Sequence, residues 1–123
     1  MELKNKKTLV LGASDNPARY SYLAVNKLRG NGIDVVAIGR KKTKVADVEI
    51  GTEKKQFENI DTITLYLNSN NQKEYYDYIL SLHPKRIIFN PGAENQELFD
   101  LAKSNSIKAL EACTLVLLST HQF

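Results

Sequence analysis

The chain has a single cysteine, Cys113, among its 123 residues. This excludes an intramolecular disulfide and any metal site built from several cysteines, and it suits a reducing cytoplasm, the expected location. No apolar run comes near the ~20 residues that a membrane span needs. The opening "MELKNKK" is charged and leads straight into a strand-like run without a small-residue cleavage site, so no signal peptide is expected. An excess of one charge is also lacking. Lys and Arg number 17 against 14 Asp and Glu, and the resulting net charge of +3 is too mild to indicate nucleic acid as a partner. There are no low-complexity linkers and no sequence repeats. With 42% hydrophobic and 25% charged residues, the balance is that of an ordinary globular domain. At this length one domain, residues 1–123, buries roughly two-thirds of its unfolded surface.

Strand-like and helix-like segments alternate along the chain. "TLVLG" (8–12) is a short apolar run of the kind that is covered on both faces of a sheet. Over 18–29, Tyr20, Leu23, Ala24 and Leu28 fall at helical spacing, and "GNG" (30–32) closes the segment. "DVVAIG" (34–39) is a second buried strand, followed by the basic "RKKTK". Residues 45–60 show no helical stripe and read as irregular or extended, in place of a crossover helix. "TITLYL" (62–67) is a third strand that ends at the capping sequence "NSNN". The next helix carries Tyr75, Ile79 and Leu82 on one stripe with Tyr76 and Leu80 beside it, and stops before Pro84. "RIIFN" (86–90) is a fourth strand, Leu98, Leu101 and Ala102 mark a helix that runs to about Ser104, and "IKALEA" (107–112) is a fifth strand. The tail "CTLVLLSTHQF" reads equally as a short helix or a last edge strand. This alternation predicts an α/β, Rossmann-like, doubly wound three-layer domain with a mainly parallel five-stranded sheet.

In such sheets ligands bind beyond the carboxyl ends of the strands. The residues there are Gly12, Ala13 and Ser14, then Gly39, Arg40 and Lys41, then Asn68 with its neighbours, then Asn90, Pro91 and Gly92, and finally Glu111, Ala112 and Cys113. They are small, polar or basic, without an obvious nucleophile and base pair. In "LGASDNPAR", Gly12 lets a phosphate approach the backbone, Ala13 and Ser14 offer N–H groups, Asn16 and Pro17 form the turn, and Arg19 sits near the helix start facing the same anion. Neither G-x-G-x-x-G nor a Gly-Lys-Ser/Thr loop is present. The same residues also make a good strand-to-helix connection and nothing more. After the second strand, where NAD-binding domains usually place Asp or Glu, stand Arg40, Lys41 and Lys42. Cations there favour a phosphorylated ribose, as in NADP or coenzyme A, over a free one.

"VLGASDNPARYSY", "IGRKK", "LYLNSN" and "IIFNPGAENQELFDLAKSNSIKALEACTLV" together resemble the small stand-alone CoA-binding protein family, which is similar to the CoA-binding domain of succinyl-CoA synthetase. The resemblance covers nearly the whole chain and is most specific at Gly12, Ala13, Ser14, Asn16 and Pro17 with Arg19 and Tyr22. It implies coenzyme A or an acyl-CoA lying across the strand ends, with its pyrophosphate at Gly12 to Ser14. Arg40 and Lys41 are then implied as contacts to the 3′-phosphate or ribose, and Leu67 and Asn68 as bordering the adenine. Members of that family often end the second strand in Asn-Pro followed by Lys; Gly39-Arg40-Lys41 keeps the lysine and changes the turn. Asn90-Pro91-Gly92 is also compact and stiffened by proline, and the resemblance implies that it reshapes the wall near the pantetheine arm.

Catalysis is not expected. His83 precedes Pro84 at the far end of a helix, His121 lies in the tail, and no phospho-acceptor histidine stands in a glycine-rich setting. Cys113 lies near the binding edge, where it is either buried structure or a partner for the CoA thiol. Two other readings stay open: an NADP-binding oxidoreductase-like domain, and a non-catalytic regulatory module. In the second, Tyr75, Tyr76, Tyr78 and the apolar tail would meet a protein partner or a second copy. The expected partner is a small-molecule nucleotide cofactor.

Overall fold

Side-chain alternation along the central strand sets the layers. In β1 (Thr8–Ala13), Leu9 and Leu11 join the core on one face of the sheet and Val10 the core on the other. At Gly12, which has a φ of 96°, the register with the next strand slips, and Ala13 lands on the face of Val10. The remaining strands and α-helices are α1 (Tyr20–Gly30), β2 (Val35–Gly39), β3 (Thr43–Val45), β4 (Val48–Gly51), β5 (Thr62–Leu65), α2 (Ser69–Gln72), α3 (Tyr76–Ser81), β6 (Arg86–Phe89), α4 (Gln96–Ser104), β7 (Lys108–Glu111) and α5 (Thr114–Ser119). The protein is seen here as a computed structural model, which describes residues 3–123.

The sheet has seven strands in the order β3-β4-β2-β1-β5-β6-β7, parallel except for the β3–β4 pair. The doubly wound α/β reading therefore holds, and the count of five strands is corrected to seven. The two additional strands lie within and just before the segment read as irregular. Thr43, Lys44 and Val45 pair antiparallel with Ile50, Glu49 and Val48, so a hairpin adds β4 beside β2. Buried Val45, Val48 and Ile50 alternate with exposed Lys44 and Glu49, a period of two that is too short to stand out without its partner strand.

Parallel register stacks like with like. Leu9, Ile63 and Ile87 form one row across β1, β5 and β6, and Leu11, Leu65 and Phe89 the next, all at most 1% exposed. Each such side chain stabilises by about 1.5–3 kcal/mol relative to exposure, and a one-residue slip would turn the rows to the opposite face. On that face α3, the residue capping it and α4 supply Ile79, Leu82, Leu98 and Ala102; on the other, α1 and α5 supply Val25, Leu28 and Leu118.

Helix ends follow their capping residues. α1 stops where Gly32 (φ 75°) donates to the Arg29 carbonyl and Ile33 to that of Leu28, the paired bonds of a glycine-terminated helix. The helix expected after the third strand is broken: α2 and α3 are separated by a tighter 3₁₀ turn at Lys73–Tyr75. Buried Gln72 holds α2 inward through 2.8 Å bonds to the Leu67 and Ala93 carbonyls. The tail resolves as helix. Beyond α5, His121 (φ 57°) turns the chain so that Phe123 enters the core, 4.3 Å beneath the buried Arg86 guanidinium.

Candidate functional site

A cleft of about 630 Å³ lies across the carboxyl ends of β1, β2, β5 and β6. Backbone proximity shapes it. A Cβ on Gly39 would stand 2.3 Å from the Ala13 carbonyl oxygen, so β2 has to end in glycine. A Cβ on Gly12 would meet the Tyr66 backbone at 3.0 Å and Leu67 at 3.1 Å. Gly12 thus serves the packing of β1 against the end of β5, along with its positive φ, more directly than it clears space for a ligand.

From Ser14 the chain forms a turn locked by its own side chains. Ser14 Oγ accepts from the Asn16 N–H at 3.0 Å, and Asn16 Oδ1 from the Ala18 N–H at 3.0 Å. The helix starts at Tyr20, three residues beyond Pro17 and later than the spacing predicts. Arg19 is its extended N-cap residue and makes no side-chain capping bond, so the helix start lacks the usual acceptor at the cleft. Arg19, Arg40 and Lys41 bring positive charge to this end, and all three are exposed. Asp15 stands among them, accepting from Thr43 Oγ1 at 2.7 Å and lying 3.4 Å from Lys41 Nζ. The Thr43 hydroxyl, then Lys41, hold its carboxyl below the usual carboxylate range.

The opposite wall rests on buried polar bonds. Asn90 Nδ2 donates to Thr64 Oγ1 at 2.7 Å and to the Leu65 carbonyl at 2.9 Å, its Oδ1 accepts from the Thr114 N–H at 2.9 Å, and Thr64 and Thr114 share a 2.8 Å hydroxyl bond. This ties the ends of β5 and β6 to the start of α5 beneath the cleft. Asn95 Nδ2 donates to Gln72 Oε1 and to the Tyr76 hydroxyl, which extends the Gln72 link to α4. Tyr66 lines the cleft while its hydroxyl is enclosed without a protein partner. Burial pushes its pKa up to about 12; Thr64 and Thr114 soften that rise from nearby, but they are already bonded to each other. Tyr78, whose hydroxyl donates to the Lys55 carbonyl at 2.5 Å, is also pushed by burial to about 12.

Of the residues singled out from sequence, Gly12, Ala13, Ser14, Arg19, Gly39, Arg40, Lys41, Leu67, Asn68 and Pro91 line the cleft. Asn16, Pro17, Tyr22 and Asn90 do not: Asn16 and Pro17 build the turn, Tyr22 packs with the α1 core, and the Asn90 side chain is spent inside. Sequence reasoning passed over Asp15, Tyr20, Ser21, Thr43, Asn71, Glu74 and Tyr75 as lining residues. Thr43 arrives only through the hairpin, whereas Asp15 and Ser21 lie inside the quoted turn motif. Half-buried Cys113 is not among the lining residues, and neither histidine is. Tyr75 and Tyr76 are half-buried and Tyr78 buried, so these tyrosines pack against the sheet. No group of three or more His, Cys, Asp or Glu among the described residues is placed to hold a metal ion, and no helix among them is long and apolar enough to cross a membrane.

A family model described as a CoA binding domain matches residues 6–119. Among solved structures, one described as an uncharacterized protein is 48% identical, with a TM-score of 0.93, over 96% of this chain and 98% of that one. A hypothetical protein from Pyrococcus horikoshii OT3 superposes with a TM-score of 0.85 at 20% identity, over 94% of this chain and 82% of its own. An acetyl-coenzyme A synthetase from Ca. Korarchaeum cryptofilum, described as dinucleotide forming and in complex with phosphate and ADP, matches 91% of this chain with 26% of its own length, at a TM-score of 0.73 and 16% identity. At these low identities the last two show the shared fold. No curated protein matches the chain significantly.

Gly39→Ala should cost about 1–3 kcal/mol in urea denaturation, because the Ala13 carbonyl must move. Gly51→Ala, where an added Cβ meets nothing within 4 Å, should fall within about 1 kcal/mol of the parent. Equal effects would remove the close approach as the reason for Gly39. With Tyr66 and Tyr78 both near 12, the folded chain keeps two protons that the unfolded chain releases near 10. Stability should therefore fall as pH rises from about 10 to about 12, and the Tyr66→Phe, Tyr78→Phe double variant should show a shallower fall in thermal melts across that window.

Proposed function

The chain belongs to the CoA-binding domain family, and on that premise we propose that its cleft binds coenzyme A or an acyl-CoA. The observation that carries this reading is the pairing of the α1 start, which has no side-chain cap and has Ser14 and Arg19 beside it, with Arg40 and Lys41 beyond β2. Backbone N–H groups at a helix start, with the helix dipole behind them, favour a pyrophosphate. Two cations at the neighbouring strand end favour a phosphate on the ribose. The residues fit the ligand in charge and in room: a cleft of about 630 Å³ with positive groups beyond β2 and with Pro91, Gly92 and Ala93 beyond β6 suits a nucleotide that continues into a less charged arm.

Among the described residues no histidine or cysteine lines the cleft, and the reading is of a binder with no assigned reaction. NADP is the competing ligand, because the basic end of β2 suits its 2′-phosphate as well. Titration calorimetry of the ligand-stripped protein with CoA, acetyl-CoA, dephospho-CoA, NADP and NAD separates them. CoA or acetyl-CoA should bind tightest, and the Arg40→Ala, Lys41→Ala pair should weaken CoA by about tenfold or more while leaving dephospho-CoA nearly unchanged. Preference for NADP would replace the ligand; equal losses for CoA and dephospho-CoA would detach these cations from the 3′-phosphate.

A further inference from the structure

Among the described residues two carboxylates line the cleft, and they are differently held. Glu74 is exposed and lies 4.0 Å from Lys54. Asp15 is set against the connection that follows β2, with Oδ2 on the Thr43 hydroxyl at 2.7 Å and Oδ1 3.4 Å from Lys41 Nζ. The Ser14 and Asn16 turn bonds fix the backbone on both sides of it. An acceptor and a cation therefore stand side by side at the end of the cleft where Arg40 also lies.

That location has a chemical meaning. In dinucleotide-binding sheets an acidic residue after the second strand accepts a ribose hydroxyl. Here the last position of β2 is Gly39, held to glycine by the Ala13 carbonyl, and the next residues are basic. The strand end cannot supply the acid, whereas the first turn delivers one to nearly the same place. Resting on the CoA reading, we propose that Asp15 is a specificity-determining residue that accepts the free hydroxyl of a ribose whose neighbouring hydroxyl carries a phosphate, the phosphate being held by Lys41 with Arg40. The matching ligand class is the nucleotide with one phosphate and one hydroxyl on adjacent ribose carbons: the adenosine end of coenzyme A carries them at 3′ and 2′, and that of NADP in the reverse order. A ribose bearing a hydrogen in place of that hydroxyl gives the Asp15 carboxylate no donor from the ligand. Lys41 is largely exposed, so it can turn from Asp15 toward an arriving phosphate while Thr43 keeps the carboxylate in place.

The test pairs a ligand deletion with a side-chain deletion, with adenosine 3′,5′-bisphosphate, its 2′-deoxy counterpart and coenzyme A titrated into the parent protein, Asp15→Ala and Thr43→Ala. The parent should bind the hydroxyl-bearing ligand about tenfold tighter than the deoxy ligand. In Asp15→Ala the two affinities should become equal, with the deoxy ligand bound at least as well as by the parent because a carboxylate near the phosphate is gone. Thr43→Ala, which leaves the carboxylate present, should still distinguish the two ligands. Thermal melts check that each variant is folded. If the parent binds both ligands equally, or Asp15→Ala keeps the parent's ratio, the assignment of Asp15 is overturned while the CoA reading stands. If the parent binds neither bisphosphate nor coenzyme A, the CoA reading itself fails and this inference with it.

Discussion

The site depends on one close approach, that of the Ala13 carbonyl to the end of β2, where a side chain would begin 2.3 Å from it. The slip in register at Gly12 brings β1 there and places its last residue on the face of α1 and α5. Three consequences meet at that point. Gly39 must be glycine, the turn from Ser14 is aimed across the end of β2, and the cations that follow β2 face the start of α1. A cleft that opens on the uncapped start of α1 arises from backbone geometry before any side chain takes part.

The side chains then divide the work between holding and contacting. Asn90 and Gln72, both buried, bond to carbonyls or hydroxyls of adjoining elements and fix the wall formed by the ends of β5 and β6. Leaving either amide unpaired would be costly in a low-dielectric interior, so these bonds favour one arrangement of the wall. Arg19, Arg40, Lys41 and Asp15 stay accessible at the opposite end. A hydrogen-bonded floor with accessible charged groups at one rim fits the binding of a long, flexible, phosphorylated ligand.

Much of this was legible in the chain itself. The parallel strands Thr8–Ala13, Val35–Gly39, Thr62–Leu65 and Arg86–Phe89 are buried on both faces, and their near-continuous apolar runs carry that signal without any partner. The hairpin of β3 and β4 was missed because Val45, Val48 and Ile50 are few and separated by charges, and their meaning appears only in the pairing. The tail read equally as helix or strand because its fate is decided by Phe123 reaching Arg86, a contact across the fold. At the site, Gly12, Ser14, Arg19 and Lys41 were legible from turn chemistry and position after a strand. Asn90 looked like a contact for the same reason, and the sequence held no sign that Thr64 and Thr114 would claim its amide. Asp15 was legible only as a turn former, since its partner Thr43 comes from the hairpin.

The central claim is that the strand-end cleft is where coenzyme A sits. Its most direct test is a backbone amide spectrum of the isotope-labelled protein titrated with coenzyme A. Shifts should concentrate at Gly12 to Ser21, Gly39 to Thr43 and Gly92 to Ala93, with little change at Phe99, Ile107 and Ala109 beside the β7 edge. Saturable shifts confined to that edge, or none at a concentration that saturates other members of the family, would contradict the account.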